Sequence, residues 1–310
     1  MSNSDFNRVL ELLNSEYICL ENSREYRLGK KIYKIIDAVK RCDIGTLCDF
    51  VRAIICKNRI RAFSKEMPKT DIVFTEGSRV SEFTKGAVYT CITADYEKLI
   101  EPLYGNVDYY CFTDNMSQLC NSSWNQIIID KRGLEGNQIN RYYKMHPFEV
   151  LPSHRFSVYV DGNVRVISDV TTLFSVAAES KCGIAMHKHH ERNCIYDEAR
   201  ACILEKRGNS RLIHEQMKRY RNEGYPDNNG LFEATIIVVD NANPVSKFIL
   251  SEWWNEFHKT GSGRDQLSFP YVLWKNGFSS EDIGFLGNNL LYNPKFRIER
   301  LGDHRYMRKK

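Results

Sequence analysis

The run Ser157-Val158-Tyr159-Val160-Asp161-Gly162-Asn163-Val164-Arg165-Val166 constrains what this chain can fold into more than any other stretch. Its β-branched and aromatic residues read as a buried strand, and Asp161-Gly162 breaks that strand into a turn carrying one carboxylate and, at Asn163, one amide. Ligands of open α/β sheets bind just beyond such carboxyl ends, which places the expected chemistry here. Asp-Gly-Asn alone is also an ordinary turn sequence, so its neighbours must decide.

Residues 1–66 read as helices. Phe6, Val9, Leu10 and Leu13 recur at helical spacing, as do Ile32, Ile35, Ile36 and Val39, and Leu47 to Phe63 repeats the pattern. The last segment mixes Phe50, Val51, Ile54 and Ile55 with Lys57, Arg59, Arg61 and Lys65. Such a basic amphipathic helix suits packing on a main domain with its charged face solvated, the reading preferred here, or a membrane-surface or partner contact. Periodicity is lost around Pro68, so 67–85 is expected as a linker and 86–310 as an α/β domain.

Within that domain, strands are expected at 87–93, 107–115, 124–129, 184–187 and 231–239. Helices are expected between the first two strands, at 137–145, at 170–178 with Asp169 as N-cap, continuously over 195–223, and at 243–257. The first strands and the helix between them predict the opening of a parallel sheet.

The 310 residues, 42% hydrophobic, suffice for one medium domain with an extension. A net charge of +5, with basic residues dispersed, argues against a dedicated nucleic-acid binder and suits an anionic small ligand or an acidic membrane surface. The ten cysteines form no C-x-x-C pair, which favours a reducing compartment. The first residues lack a signal-peptide pattern and no apolar stretch could cross a bilayer, so a cytoplasmic location, soluble or peripheral to a membrane, is expected.

Six segments in order then carry a resemblance: Tyr89 to Tyr96, Asp108 to Asp114, Arg141 to Pro147, Tyr159 to Asn163, His190 to Ala199, and Arg264 to Phe269. Together they are similar to a glycosyltransferase-like family, formerly known only as a domain of unknown function, of plant mucilage-related hexosyltransferases and bacterial surface-polysaccharide proteins. The likeness covers roughly residues 86–300. It implies a GT-A-type fold, a Rossmann-like mixed sheet flanked by helices, preceded here by a helical extension. It also implies sugar transfer from a nucleotide-sugar donor to a glycan or lipid-linked acceptor in surface polysaccharide synthesis. The alternative is a non-catalytic nucleotide-sugar or glycan-binding scaffold recruited through the N-terminal helices.

On that resemblance Thr93, Asp95 and Tyr96 would line the nucleoside pocket, with Asp114 beside them. Arg141 and Lys144, one helical turn apart, would reach the diphosphate. Asp161 and Asn163 would hold a divalent cation, Mn2+ or Mg2+. Asn163 stands where GT-A enzymes usually carry the second Asp of Asp-x-Asp, which puts metal dependence in question; His190, Arg192, Arg141 and Lys144 could neutralise the diphosphate instead. Asp265 and Glu233 are candidate acceptor bases, and Trp253, Trp254 and Trp274 candidate stacking surfaces. His187, His189 and His190 lack a structural zinc spacing; strand alternation would put the first two on one face and His190 on the other, leaving His190 as a single functional imidazole. Retention and inversion both remain open.

Overall fold

The computed structural model describes residues 3–63, 71–78, 85–94, 96–115 and 122–299. Three helices come first: α1 (Asn3–Asn22), α2 (Arg24–Lys40) and α3 (Ile44–Phe63). The Ser23 side chain caps α2 by accepting from the Tyr26 N–H. Residues 71–78, expected as part of a linker, lie against the main domain, where Phe74 bridges to Gly287. The tail beyond Glu299, with Arg305, Arg308, Lys309 and Lys310, is outside the described residues.

The domain follows in the order β1 (Gly86–Ile92), β2 (Asp108–Thr113), β3 (Asn125–Ile128), α4 (Asn137–Met145), α5 (Pro147–Val150), β4 (Phe156–Val160), β5 (Val164–Val166), α6 (Thr172–Glu179), β6 (Ile184–Lys188), α7 (Ile195–Leu204), α8 (Ser210–Asn222), β7 (Phe232–Asp240), α9 (Pro244–Thr260), α10 (Phe269–Lys275), β8 (Gly284–Gly287) and β9 (Phe296–Ile298). Seven strands form one sheet ordered β3-β2-β1-β4-β7-β6-β8, and β5 pairs with β9 in a small second sheet. β1, β2, β3 and β4 run parallel, whereas β7 runs antiparallel between β4 and β6. This is the Rossmann-like mixed sheet, flanked by helices and preceded by a helical extension, that the sequence implied.

Alternation along β4 splits its side chains between two cores. Phe156, Val158 and Val160 pack with Leu173 and Phe174 of α6, while Tyr159 packs with Tyr89, Tyr143 of α4 and Trp253 of α9. Asp161 follows Tyr159 on the same side. Trp253 is core, Trp254 packs on Tyr142 and His258, and Trp274 packs on Tyr225 and Tyr271, so these rings fill protein contacts rather than a sugar subsite.

Four local expectations are corrected. Among the described residues between β1 and β2 there is no helix: the Leu103 N–H donates to Val166 O and the Trp124 indole to Ile100 O, so tertiary partners claim that backbone. The expected 195–223 helix is two, broken where Lys206 and Gly208 take positive φ. Val164 to Val166 leaves the main sheet for β9. Asp169 accepts from Thr171 one turn ahead of α6, whose N-cap is Thr171.

Candidate functional site

The charged side chains gather at the carboxyl ends of β1, β2, β4 and β6, where antiparallel β7 begins. At the β1–β2 end the Ala94 N–H donates to both Asp114 oxygens, at 2.9 and 3.1 Å, and the Tyr96 N–H donates to Thr93 O. Asp114 therefore ties the loop after β1 to β2. Tyr96 keeps a half-exposed ring, Thr93 is half-buried, and Asp95 lies outside the described residues.

Asp161 ends β4 with its N–H donating to Thr235 O on β7, at 3.0 Å. The Tyr159 hydroxyl donates to its Oδ1, also at 3.0 Å. Glu97, a residue not singled out from sequence, stands against this turn. A Cβ on Gly162 would meet the Glu97 carboxylate, which would have to swing away, so the glycine keeps that carboxylate against the turn. Burial, then the charge of Asp161, pushes Glu97 up to about 7, although Arg141 and the Asn163 N–H work against the rise. The Asn163 carbonyl accepts from the Glu299 N–H at 2.7 Å, so both of its backbone groups are held.

Arg141 and Lys144 do share a face of α4, and what they share is Asp265. Arg141 Nε lies 3.2 Å and Lys144 Nζ 2.8 Å from the same Asp265 oxygen. Burial alone would raise the Asp265 carboxyl, but Arg141, Lys144 and Arg264 hold it well below the usual carboxylate range. A carboxylate so stabilised is a poor proton acceptor, so Asp265 is a buried counterion rather than an acceptor base. Lys144 is fully enclosed, with its ammonium over the Tyr159 ring, and cannot reach out to a diphosphate. Arg141 retains 22% side-chain exposure and bonds Asn140 Oδ1 at 2.7 Å, which leaves it the cation at the edge.

The histidines depart from simple strand alternation because β6 stops at Lys188. His187 is buried and meets Asn293 at 2.7 Å; burial pushes it down to about 3. His189 and His190 stack at 5.3 Å with rings 9° apart, and both face Glu233 Oε1, at 3.5 and 3.3 Å. His189 Nδ1 accepts from the Glu191 and Arg192 N–H groups, so its proton sits on Nε2, toward Glu233 and Glu198. The Arg192 guanidinium, 3.3 Å from that nitrogen, pairs with Glu198 at 2.6 Å and with Glu191 at 3.1 Å, and so is committed within the protein rather than held for a phosphate.

His190 turns Nδ1 to Glu233. Burial would lower it, but the hydrogen bond and charge of Glu233 raise it above its ordinary value. Burial would raise Glu233, yet the imidazoles hold it at about 2, too low for a base. Glu233 orients His190, whose ring stays partly exposed.

Two places could accept a divalent cation. His189, His190 and Glu233 place their ligand atoms within 4.8 Å of one another. Ligation by His189 Nε2 would require loss of its proton while Nδ1 still accepts two amides, so hydrogen bonding satisfies this cluster better than a metal. Asp161 and Glu97 offer two carboxylates at the Gly162 turn, Glu97 raised first by burial and then by the Asp161 charge, and such oxygen donors suit a hard cation such as Mg2+ or Mn2+. Glu97 thus joins Asp161 and Asn163 at this turn as a further candidate oxygen donor. Glu97, Glu198 and Tyr159 were missed from sequence; for Glu97 the available signal was a carboxylate just past the carboxyl end of β1.

The family model for the TOD1/MUCI70, glycosyltransferase-like domain matches residues 87–283. “Probable hexosyltransferase MUCI70” of Arabidopsis thaliana is 24% identical over 147 residues, covering 44% of this chain and 25% of that protein, so the match spans about a quarter of that relative's length. Among solved structures, the mannosyltransferase Ktr4p from S. cerevisiae is 14% identical over 73% of this chain and 75% of that one, with a TM-score of 0.37. The WbbM bifunctional glycosyltransferase is 14% identical over 78% of this chain and 48% of that one, with a TM-score of 0.43. With the family match covering well over half of its length, the chain belongs to the TOD1/MUCI70 glycosyltransferase-like domain family.

Proposed function

We propose that this domain transfers a hexose from a nucleotide-sugar donor to a glycan or lipid-linked acceptor in surface polysaccharide synthesis, on the cytoplasmic side of a membrane. The observation that carries this reading is the Asp161–Glu97 pair at the end of β4 with Arg141 beside it. Carboxylates backed by one partly exposed guanidinium suit a diphosphate and its cation. Thr93, Asp95 and Tyr96 would meet the nucleoside, Tyr96 by stacking. Asp161 and Glu97 would hold Mn2+ or Mg2+, which would neutralise the diphosphate as it leaves. The described cysteines are free thiols, which supports a reducing setting.

The acceptor hydroxyl attacks the anomeric carbon while the bond to the diphosphate oxygen breaks. His190 Nε2 takes the hydroxyl proton, with Glu233 fixing the ring through Nδ1. Glu233 lies two residues along β7 from Thr235, whose carbonyl accepts from the Asp161 N–H, so the residue that orients His190 and the end of β4 are roughly 7 Å apart along the strand. Direct attack assisted by a base predicts inversion. The test is a thermal-shift screen of nucleotide-sugars with and without Mn2+, followed by nucleoside diphosphate release with glycan acceptors. No stabilising donor would sink the reading, and binding without any release would favour the non-catalytic scaffold.

A further inference from the structure

The N-terminal helices carry an unusual surface. In α2, Leu28, Ile32, Ile36 and Val39 form one apolar stripe at helical spacing. In a packed helix that stripe would face a core, yet these four side chains are 53%, 47%, 48% and 57% exposed, and Ala38 is the buried residue of the helix. The same helix holds Arg24, Arg27, Lys30, Lys31, Lys34 and Lys40 against Glu25 and Asp37. Lys30 reaches Glu21 at 3.4 Å, but among the described residues Arg24, Arg27, Lys31 and Lys34 have no acidic partner.

We propose that α2 docks on an anionic lipid surface, its apolar stripe entering the headgroup boundary, the flanking Arg24, Lys31 and Lys40 reaching lipid phosphates and the remaining basic side chains adding to the attraction. Charge selects lipid over a second copy of this chain: stripe-to-stripe pairing of two α2 helices would bring two strongly basic helices together without compensating acids, whereas anionic headgroups complement them. The assignment also differs from the sequence expectation, which put the basic amphipathic character at the end of α3. It gives the peripheral placement proposed above a specific surface, yet rests on α2 alone, so transfer to a soluble acceptor can survive its failure.

The test is co-sedimentation of the full chain with phosphatidylcholine vesicles, with and without phosphatidylglycerol. Binding is expected only with phosphatidylglycerol and should fall with added salt. Ile32→Asp with Ile36→Asp should abolish it, while Lys31→Glu with Lys34→Glu should weaken it by about tenfold or more. All four positions are exposed, so helicity and melting should not change; Ile32→Ser with Ile36→Ser repeats the test without new charge. Equal binding to neutral vesicles, or none to either, overturns the proposal. So does a lipid-free dimer, seen by light scattering, that these substitutions dissociate.

Discussion

Two charged centres share one edge of the sheet and treat their acids oppositely. At the end of β4, burial first and the charge of nearby Asp161 second push Glu97 up to about 7. At the β6–β7 end, Glu233 lies between two imidazoles and is held at about 2. Where an acid neighbours an acid, the structure leaves room for incoming positive charge and the diphosphate that accompanies it. Where imidazoles surround an acid, the carboxylate is already satisfied, and the proton-accepting capacity moves to His190.

The hardest test of this contrast is Asp161→Ala, which should lower kcat by about a thousandfold or more while the melting temperature holds. Normal turnover would remove the β4 centre from the mechanism. Asp265→Asn should instead act on stability, because Arg141 and Lys144 would be left buried without their counterion. Denaturant unfolding should register a loss of about 3–5 kcal/mol, and a loss below about 1 kcal/mol would mean that the cations find other partners.

At the second centre, His190→Gln should cost about a hundredfold or more in kcat. Wild-type kcat should rise with pH through the raised His190 value, since only the neutral ring accepts a proton, and the variant should lose that rise. Glu233→Gln should move the inflection down toward ordinary imidazole. A variant with no shift would show that Glu233 does not orient the ring.

The smallest effect is the stability profile of Glu97. Its folded value exceeds its ordinary one, so the folded state binds more protons between about pH 4.5 and 7, and stability falls as pH rises through that window. Melting temperature against pH should slope downward there in the wild type and flatten in Glu97→Gln. Mn2+ should restore stability above pH 7 in the wild type alone; equal rescue of the variant would exclude Glu97 as a ligand.

What could be read locally came out well where the pattern was strong. The α4 boundaries, the strands β1, β2 and β7, and the start of α9 to within one residue follow from periodicity. Asp161 was legible as a carboxylate at the end of a buried strand because β4 is apolar throughout and stops at a glycine turn. The antiparallel direction of β7 was not, since a buried strand reads the same either way. Asp265 read as a candidate acceptor base, and Arg141 and Lys144, which pair with it, come from a helix more than a hundred residues earlier.

The order of residues by itself determined that this chain builds an α/β sheet with Asp161 at its carboxyl edge, because alternation and turn chemistry act between near neighbours. Only the tertiary structure decided which carboxyl does what. A carboxyl group takes its character from its burial and from the charges near it, and here those charges arrive from distant parts of the chain: Asp161 near Glu97, His190 beside Glu233, and Arg141 with Lys144 around Asp265.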